Sequence, residues 1–146
     1  MNLPDLKIKD SYRSGEDSLL DDFYLPALKT AHNYDRAVGF FSSSLLVYAL
    51  QGISSIIKSK GKIRLIIGHP LTDEEYKAVK DGFDLRHIAE SLESELDRLL
   101  ETTSSIDAYR LMIFTAMIAT SRLEVKFAFR PQGMYHEKIG IIKDRL

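Results

Sequence analysis

Two apolar stretches, residues 36–41 and 62–68, flank a segment whose Leu45, Leu46, Ala49, Leu50, Ile53, Ile56 and Ile57 recur at helical spacing. This pattern constrains the chain more than any other feature. Each apolar stretch is strand-length and bounded by polar or glycine residues, so the unit reads strand, helix, strand. An intervening helix separates the strands too widely for a hairpin, and a right-handed crossover into a parallel pair follows. Ser42, Ser43 and Ser44 offer side-chain oxygens to the free amides at the helix start, and Gly61 suits its C-terminal cap.

The flanking sequence adds elements to this unit. Residues 3–18 read as an extended arm. Leu19, Leu20, Phe23, Leu25 and Leu28 follow Asp17, a plausible N-cap, as a short helix that Pro26 interrupts or restarts. Asn33, Tyr34 and Asp35 read as a turn before the first strand. Thr72 caps a helix whose first turn holds Asp73, Glu74 and Glu75, and Leu85, Ile88, Leu92, Leu96 and Leu99 line one face of another over residues 84–101. Residues 106–120 are apolar on almost every side and predict a helix packed in the interior or under a partner. Two strands close the chain, over 123–129 and 135–142, separated by a turn around Pro131, Gln132 and Gly133. The expected fold is a single α/β domain over residues 1–146, a mixed and mostly parallel sheet flanked by helices.

Composition narrows the functional classes. With 146 residues and 45% hydrophobic content the chain can bury a core without staples, and the absence of cysteine removes disulfide frameworks, zinc ribbons and thiol nucleophiles. Twenty basic residues against 21 acidic ones give a net charge of −1, so any hold on phosphate must come from a local cluster. No apolar run approaches the roughly 20 residues that span a bilayer, and the N-terminus lacks a signal-peptide pattern. The expectation is a cytoplasmic protein without a membrane partner. Gly61-Lys62 is followed by Ile63 where a P-loop needs Ser or Thr, and no Gly-x-Gly-x-x-Gly occurs, so no nucleotide cofactor is expected. His136-Glu137 opens like a metalloprotease helix, but Gly140 stands where the second histidine belongs, and no metal is expected.

The informative segment is Tyr135-His136-Glu137-Lys138-Ile139-Gly140. On a strand His136 and Lys138 share a face about 6.6–6.8 Å apart, with Glu137 pointing away. An imidazole beside an ammonium suits phosphodiester chemistry, the ring attacking phosphorus or moving a proton while the lysine neutralises the non-bridging oxygens. Ser42, Ser43 and His69 each follow a proposed parallel strand, where ligands of open α/β sheets gather, and the two serines at a helix start could bind phosphate. Capping alone also explains the serines. His32 and His87 read as a helix-end and a surface residue. Arg13 and Arg36 have acidic neighbours to pair with, or a nucleic acid to touch.

His136-x-Lys138 followed by Asp144 resembles the His-Lys-Asp signature of the phospholipase D superfamily. Residues 12–17 (Tyr-Arg-Ser-Gly-Glu-Asp), 36–44 (Arg-Ala-Val-Gly-Phe-Phe-Ser-Ser-Ser) and 135–140 resemble, more narrowly, the phospholipase D-like domain at the N-terminus of prokaryotic DEAD/DEAH-type helicases and restriction or phage-defence proteins. The resemblance implies a phospholipase D-like half with catalytic His136, Lys138 and Asp144, a covalent phosphohistidine at His136 and phosphate held by Lys138. It implies a metal-independent nuclease acting on nucleic acid, or a non-catalytic module that holds DNA or a partner for a helicase. Five residues separate Lys138 from Asp144 where the signature has four, which puts Asp144 on the other strand parity unless Gly140 allows a bulge. Family members also carry a Gly-Ser-x-Asn segment and a second His-Lys set. The resemblance therefore implies an N-terminal fragment of a longer protein, or a homodimer in which the mate supplies the second half-site.

Overall fold

A computed structural model of the chain describes residues 1–40, 50–68, 71–101, 109–128 and 135–145. Four strands form one mixed sheet: β1 (Asn33–Val38), β2 (Lys62–Ile67), β3 (Leu123–Phe127) and β4 (Ile139–Lys143), in the order β3-β2-β1-β4. β1 and β2 are parallel, as the strand–helix–strand pattern requires, and β3 continues the parallel set beyond β2. β4 runs antiparallel along the other side of β1.

The N-terminal helix begins at Ser18, whose hydroxyl accepts from the Asp21 amide, rather than at Asp17. A π-type turn over Leu19–Tyr24 leads into α1 (Leu25–Thr30). Pro26 falls in the first turn of α1, where the ladder passes from π-type to α-type spacing.

α2 (Leu50–Lys58) delivers the chain to β2, and its end differs from the expectation. Lys60 takes the left-handed position, at φ 60°, while the Gly61 amide bonds Ile56 O and the Lys60 amide bonds Ile57 O. This is a Schellman closure with lysine where glycine is commoner. Gly61 meets a different need, since a Cβ there would strike the His32 carbonyl where α2 hands over to β2 beside β1.

α3 (Asp73–Asp84) starts with the expected capping box between Thr72 and Glu75, continues through a 3₁₀ turn over Leu85–Ile88 and leads into α4 (Ala89–Glu101). α5 (Arg110–Ala119) is the nearly all-apolar helix. Ile113, Phe114, Ala116, Met117, Ile118 and Ala119 are buried, so it is an interior element. Its close approach to α3 is set by Gly82, whose missing side chain leaves room for Ile118, and by the Thr115 hydroxyl donating to Ala78 O.

The core lies on one face of the sheet. Val38, Ile63, Leu65, Ile67, Leu123 and Val125 pack against helix residues such as Ile56, Leu96, Phe114 and Met117. Successive residues of β2 alternate between buried and exposed, so Lys62, Arg64 and Ile66 face the other way, into solvent. Among the described residues the helices cover one face and leave the opposite one open.

Two strand starts differ from the sequence reading, and β1 and β3 end earlier than expected, at Val38 and Phe127. β1 begins at Asn33, because Asn33, Tyr34 and Asp35 pair with both Lys62–Arg64 and residues 141–143 instead of forming a turn. β4 begins at Ile139, not Tyr135, so residues 135–138 are an unpaired lead-in. Among the described residues no helix is long and apolar enough to cross a membrane.

Candidate functional site

The C-terminal ends of β1 and β2 lie side by side, and each strand is followed by glycine. The Gly68 amide bonds Val38 O at 2.9 Å, extending the ladder one step past β2. Residues 135 and 136 cross this end. A Cβ on Gly68 would lie 2.6 Å from Tyr135 O, and one on Gly39 would lie 2.9 Å from the same oxygen and 3.5 Å from His136 Cα. Only glycines let the segment rest directly on the strand ends. The sequence therefore places His136 where ligands of open α/β sheets bind, although the strand that was to position it is an extended lead-in.

The His136 imidazole is exposed and stands edge-on to Phe40, ring centroids 6.1 Å apart at 69°. Tyr135 donates its hydroxyl to the Glu137 carboxylate at 3.1 Å, and partial burial together with that carboxylate holds its phenol above the ordinary value. Lys138 is exposed, two residues beyond His136 and next to the first residue of β4. Among the described residues no hydrogen bond or ion pair engages its ammonium. His136 and Lys138 thus sit in one short, non-helical segment, both open to solvent.

Asp144 is elsewhere. It follows β4, at the opposite end of that strand from Lys138, and its carboxylate accepts the Leu3 amide at 2.9 Å, tying the N-terminal turn to the sheet. The five-residue spacing thus corresponds to a strand length separating Asp144 from the pair. Ser42, Ser43 and His69 lie outside the described residues. His32 stands at the start of β1, with Nδ1 3.3 Å from both the Ser59 hydroxyl and Arg145 Nε, and His87 Nδ1 lies 2.8 Å from Asp84 O. Neither accompanies His136. Arg36 donates to the Tyr24 hydroxyl at 2.7 Å, and Arg13 offers its backbone amide to Asp17. Tyr34 beside Arg36 is buried enough that its phenol is pushed up to about 12.

A feature the sequence did not single out lies on the open face. Glu124, Arg64, Asp35 and Ile141 form one row across all four strands, and Lys126, Ile66, Ala37 and Ile139 form the next. Arg64 Nε donates to Asp35 at 2.7 Å and Lys143 Nζ lies 3.3 Å from the same carboxylate. The hydrogen bond from Arg64, then that from Lys143, holds the Asp35 carboxyl below its usual range against an opposing desolvation effect. A depression of about 440 Å³ lies over Ile66, Ile139, Ile141 and Tyr135. The register that builds these rows emerges only when the strands pair.

A larger cavity, about 620 Å³, opens between α3 and α5 over Ala78, Leu85, Leu92, Leu111 and Met112. It contains no histidine or lysine other than Lys77, which is bound to Asp81, so its size does not make it the site of the chemistry expected at His136. Among the described residues no three His, Asp or Glu side chains converge as metal ligands would. Compared with models of protein families, with curated proteins and with solved structures, the chain finds no match.

Proposed function

We propose that the chain is a phosphodiesterase module acting on nucleic acid without a metal, with His136 as nucleophile and Lys138 as the phosphate-binding cation. The observation that carries this reading is the seat of His136, held on Gly39 and Gly68 at the C-terminal ends of two parallel strands with Lys138 two residues on. An imidazole nitrogen attacks phosphorus, the P–O bond to the leaving strand breaks, and a second acid protonates the departing oxygen. Water then hydrolyses the phosphohistidine and restores the ring. Lys138 neutralises charge that develops on the non-bridging oxygens. Asp144, bound to the Leu3 amide at the far end of β4, is left out of this chemistry.

A second reading, a module that holds nucleic acid without cutting it, is favoured by one observation. His32 and His87 are engaged elsewhere, so no second histidine stands beside His136 among the described residues. The separating experiment uses labelled single- and double-stranded oligonucleotides in EDTA. Catalysis predicts cleavage that His136→Ala abolishes while binding persists. Binding without cleavage by the unaltered chain selects the holding module. Equal cleavage by both proteins, or cleavage only with added magnesium, refutes the mechanism.

A further inference from the structure

Arg36 lacks the acidic partner its sequence neighbourhood offers. Asp35 alternates to the open face, where Arg64 and Lys143 hold its carboxylate. Arg36 lies half-buried on the other side of β1, with Val38, and donates to the Tyr24 hydroxyl at 2.7 Å with its guanidinium 5.7 Å from the centre of that ring. Among the described residues no carboxylate engages it. Tyr34, two residues earlier on β1, completes the group. Burial pushes its phenol up to about 12, so it keeps its proton, and its hydroxyl interacts with Arg36 and with Tyr24. At most one of the two phenolic hydrogens is spent between the rings. The cluster therefore ends in spare donors, guanidinium N–H and phenolic O–H, around a cation that two aromatic rings partly desolvate.

Over this cluster β4 carries a glycine. A Cβ on Gly140 would lie 3.3 Å from Arg36 Nη1, 3.5 Å from Tyr34 Cε2 and 3.7 Å from its hydroxyl oxygen, and Gly140 is exposed. Its φ is not in the left-handed region, so the backbone does not call for glycine. What the missing side chain provides is a window from solvent onto the donors. We infer that this window is an oxyanion site and that it holds a backbone phosphate of a nucleic-acid strand. A planar guanidinium fork with a hydroxyl beside it matches phosphate oxygens and offers nothing to a cation. Free phosphate shares that chemistry; the position along the chain favours the strand. Lys138 precedes Gly140 by two residues, and His136 precedes Lys138 by two, each step about 6.6–6.8 Å of extended chain. A strand with its scissile phosphate at His136 reaches Gly140 with a phosphate further along, a placement that rests on the functional reading above. Such a contact fixes the register of the strand without reading its sequence.

The test compares two variants in two titrations. Arg36→Met removes the charge; Gly140→Val closes the window with a residue that suits a strand and leaves the charge in place, so it still reports if Arg36→Met fails to fold. Inorganic phosphate, added at constant ionic strength, should shift the Gly140 amide and Tyr34 ring resonances of the unaltered chain saturably and leave both variants unmoved. Binding of a labelled single-stranded oligonucleotide, followed against salt, should lose one phosphate contact in each variant, lowering the slope of log K on log salt by about 0.7. Lys80→Met, which removes an exposed lysine from α3, should leave that slope alone. No phosphate-dependent shift in the unaltered chain, or variants whose slope matches it, overturns the inference. Saturable shifts with an unchanged slope assign the window to free phosphate and overturn the strand contact. If the slopes fall as expected and the unaltered chain cleaves nothing in EDTA, the site stands and the nuclease alone is refuted. Cleavage with unchanged slopes does the reverse.

Discussion

Replacing Gly68 by alanine tests whether the glycines seat the candidate site. The φ angle of Gly68 is not in the left-handed region, so alanine brings no backbone strain and its effect is purely one of space. The new methyl would lie 2.6 Å from Tyr135 O, 2.7 Å from its Cβ and 2.8 Å from Cδ1. Comfortable contact begins near about 3.5 Å, so residues 135 and 136 must lift by roughly 0.8 Å. A rotamer change cannot relieve this, because the backbone oxygen and Cβ of Tyr135 both stand in the way. Overpacking of this kind costs about 1–3 kcal/mol, and at this chain length a melting temperature about 2–10 °C lower. Under the proposed chemistry a displacement approaching 1 Å lowers turnover by about a hundredfold. Gly39→Ala should do less, since only Tyr135 O, at 2.9 Å, comes closer than 3.5 Å. Gly15→Ala is the control, because nothing lies near that Cβ and its φ of 91° carries strain only. Calorimetry reads the stability, and amide and ring resonances of Tyr135 and His136 read the displacement. A Gly68→Ala protein that melts like the unaltered chain, with those resonances in place, would refute the reasoning.

Two further perturbations probe the framework. Phe114 is fully buried on α5, so Phe114→Ala should cost about 3–5 kcal/mol, read as a lower urea midpoint at unchanged slope. A chain that loses less than about 1 kcal/mol would mean that α5 does not form the core. The pH dependence has a definite sign. Asp35, held low first by the Arg64 hydrogen bond, and Glu93, held low first by that from Lys60, contribute stability that is complete above their unfolded values near about 4. That stability is lost as pH falls through the lower folded values. Asp35→Asn should flatten the acid limb of a stability profile and leave its neutral-to-alkaline part parallel to that of the unaltered chain; an unchanged acid limb would show that the Asp35 pair adds nothing.

The parts of the fold that were legible in the sequence are those fixed by local pattern. β2 follows from a strand-length apolar stretch, Ile63, Leu65, Ile66 and Ile67, that ends at Gly68, and α5 from an apolar run too long for a strand. The start of β1 was hidden because Asn33, Tyr34 and Asp35 have turn chemistry. What makes them strand is tertiary, since Asp35 is gripped by Arg64 from β2 and Lys143 from β4. The start of β4 was misplaced for a related reason. Tyr135 to Lys138 reads as strand only by continuity with the apolar Ile139 to Ile142, but β4 has only β1 to pair with, and β1 ends at Val38. His136 and Lys138 were read from the sequence as neighbours on a strand face, but the structure puts them before the strand, which begins at Ile139. The support under Tyr135 and His136 was not legible, because two glycines some thirty residues apart declare a common role only when parallel pairing brings them together.

The open face also explains why a mostly parallel sheet reads as it does. Parallel strands usually carry helices on both faces and show continuous apolar runs, whereas β2 alternates like a strand with one wet side. Arg64 and Asp35 sit at the centre of the sheet with isoleucines beside them in the adjoining row and at Ile141. A layer of purely apolar side chains laid over that row would desolvate the ion pair without supplying new partners, an outcome that tends to cancel the gain from burying the isoleucines. A covering surface must therefore bring its own carboxylate to Arg64 and its own cation to Asp35, at the same height on adjacent strands.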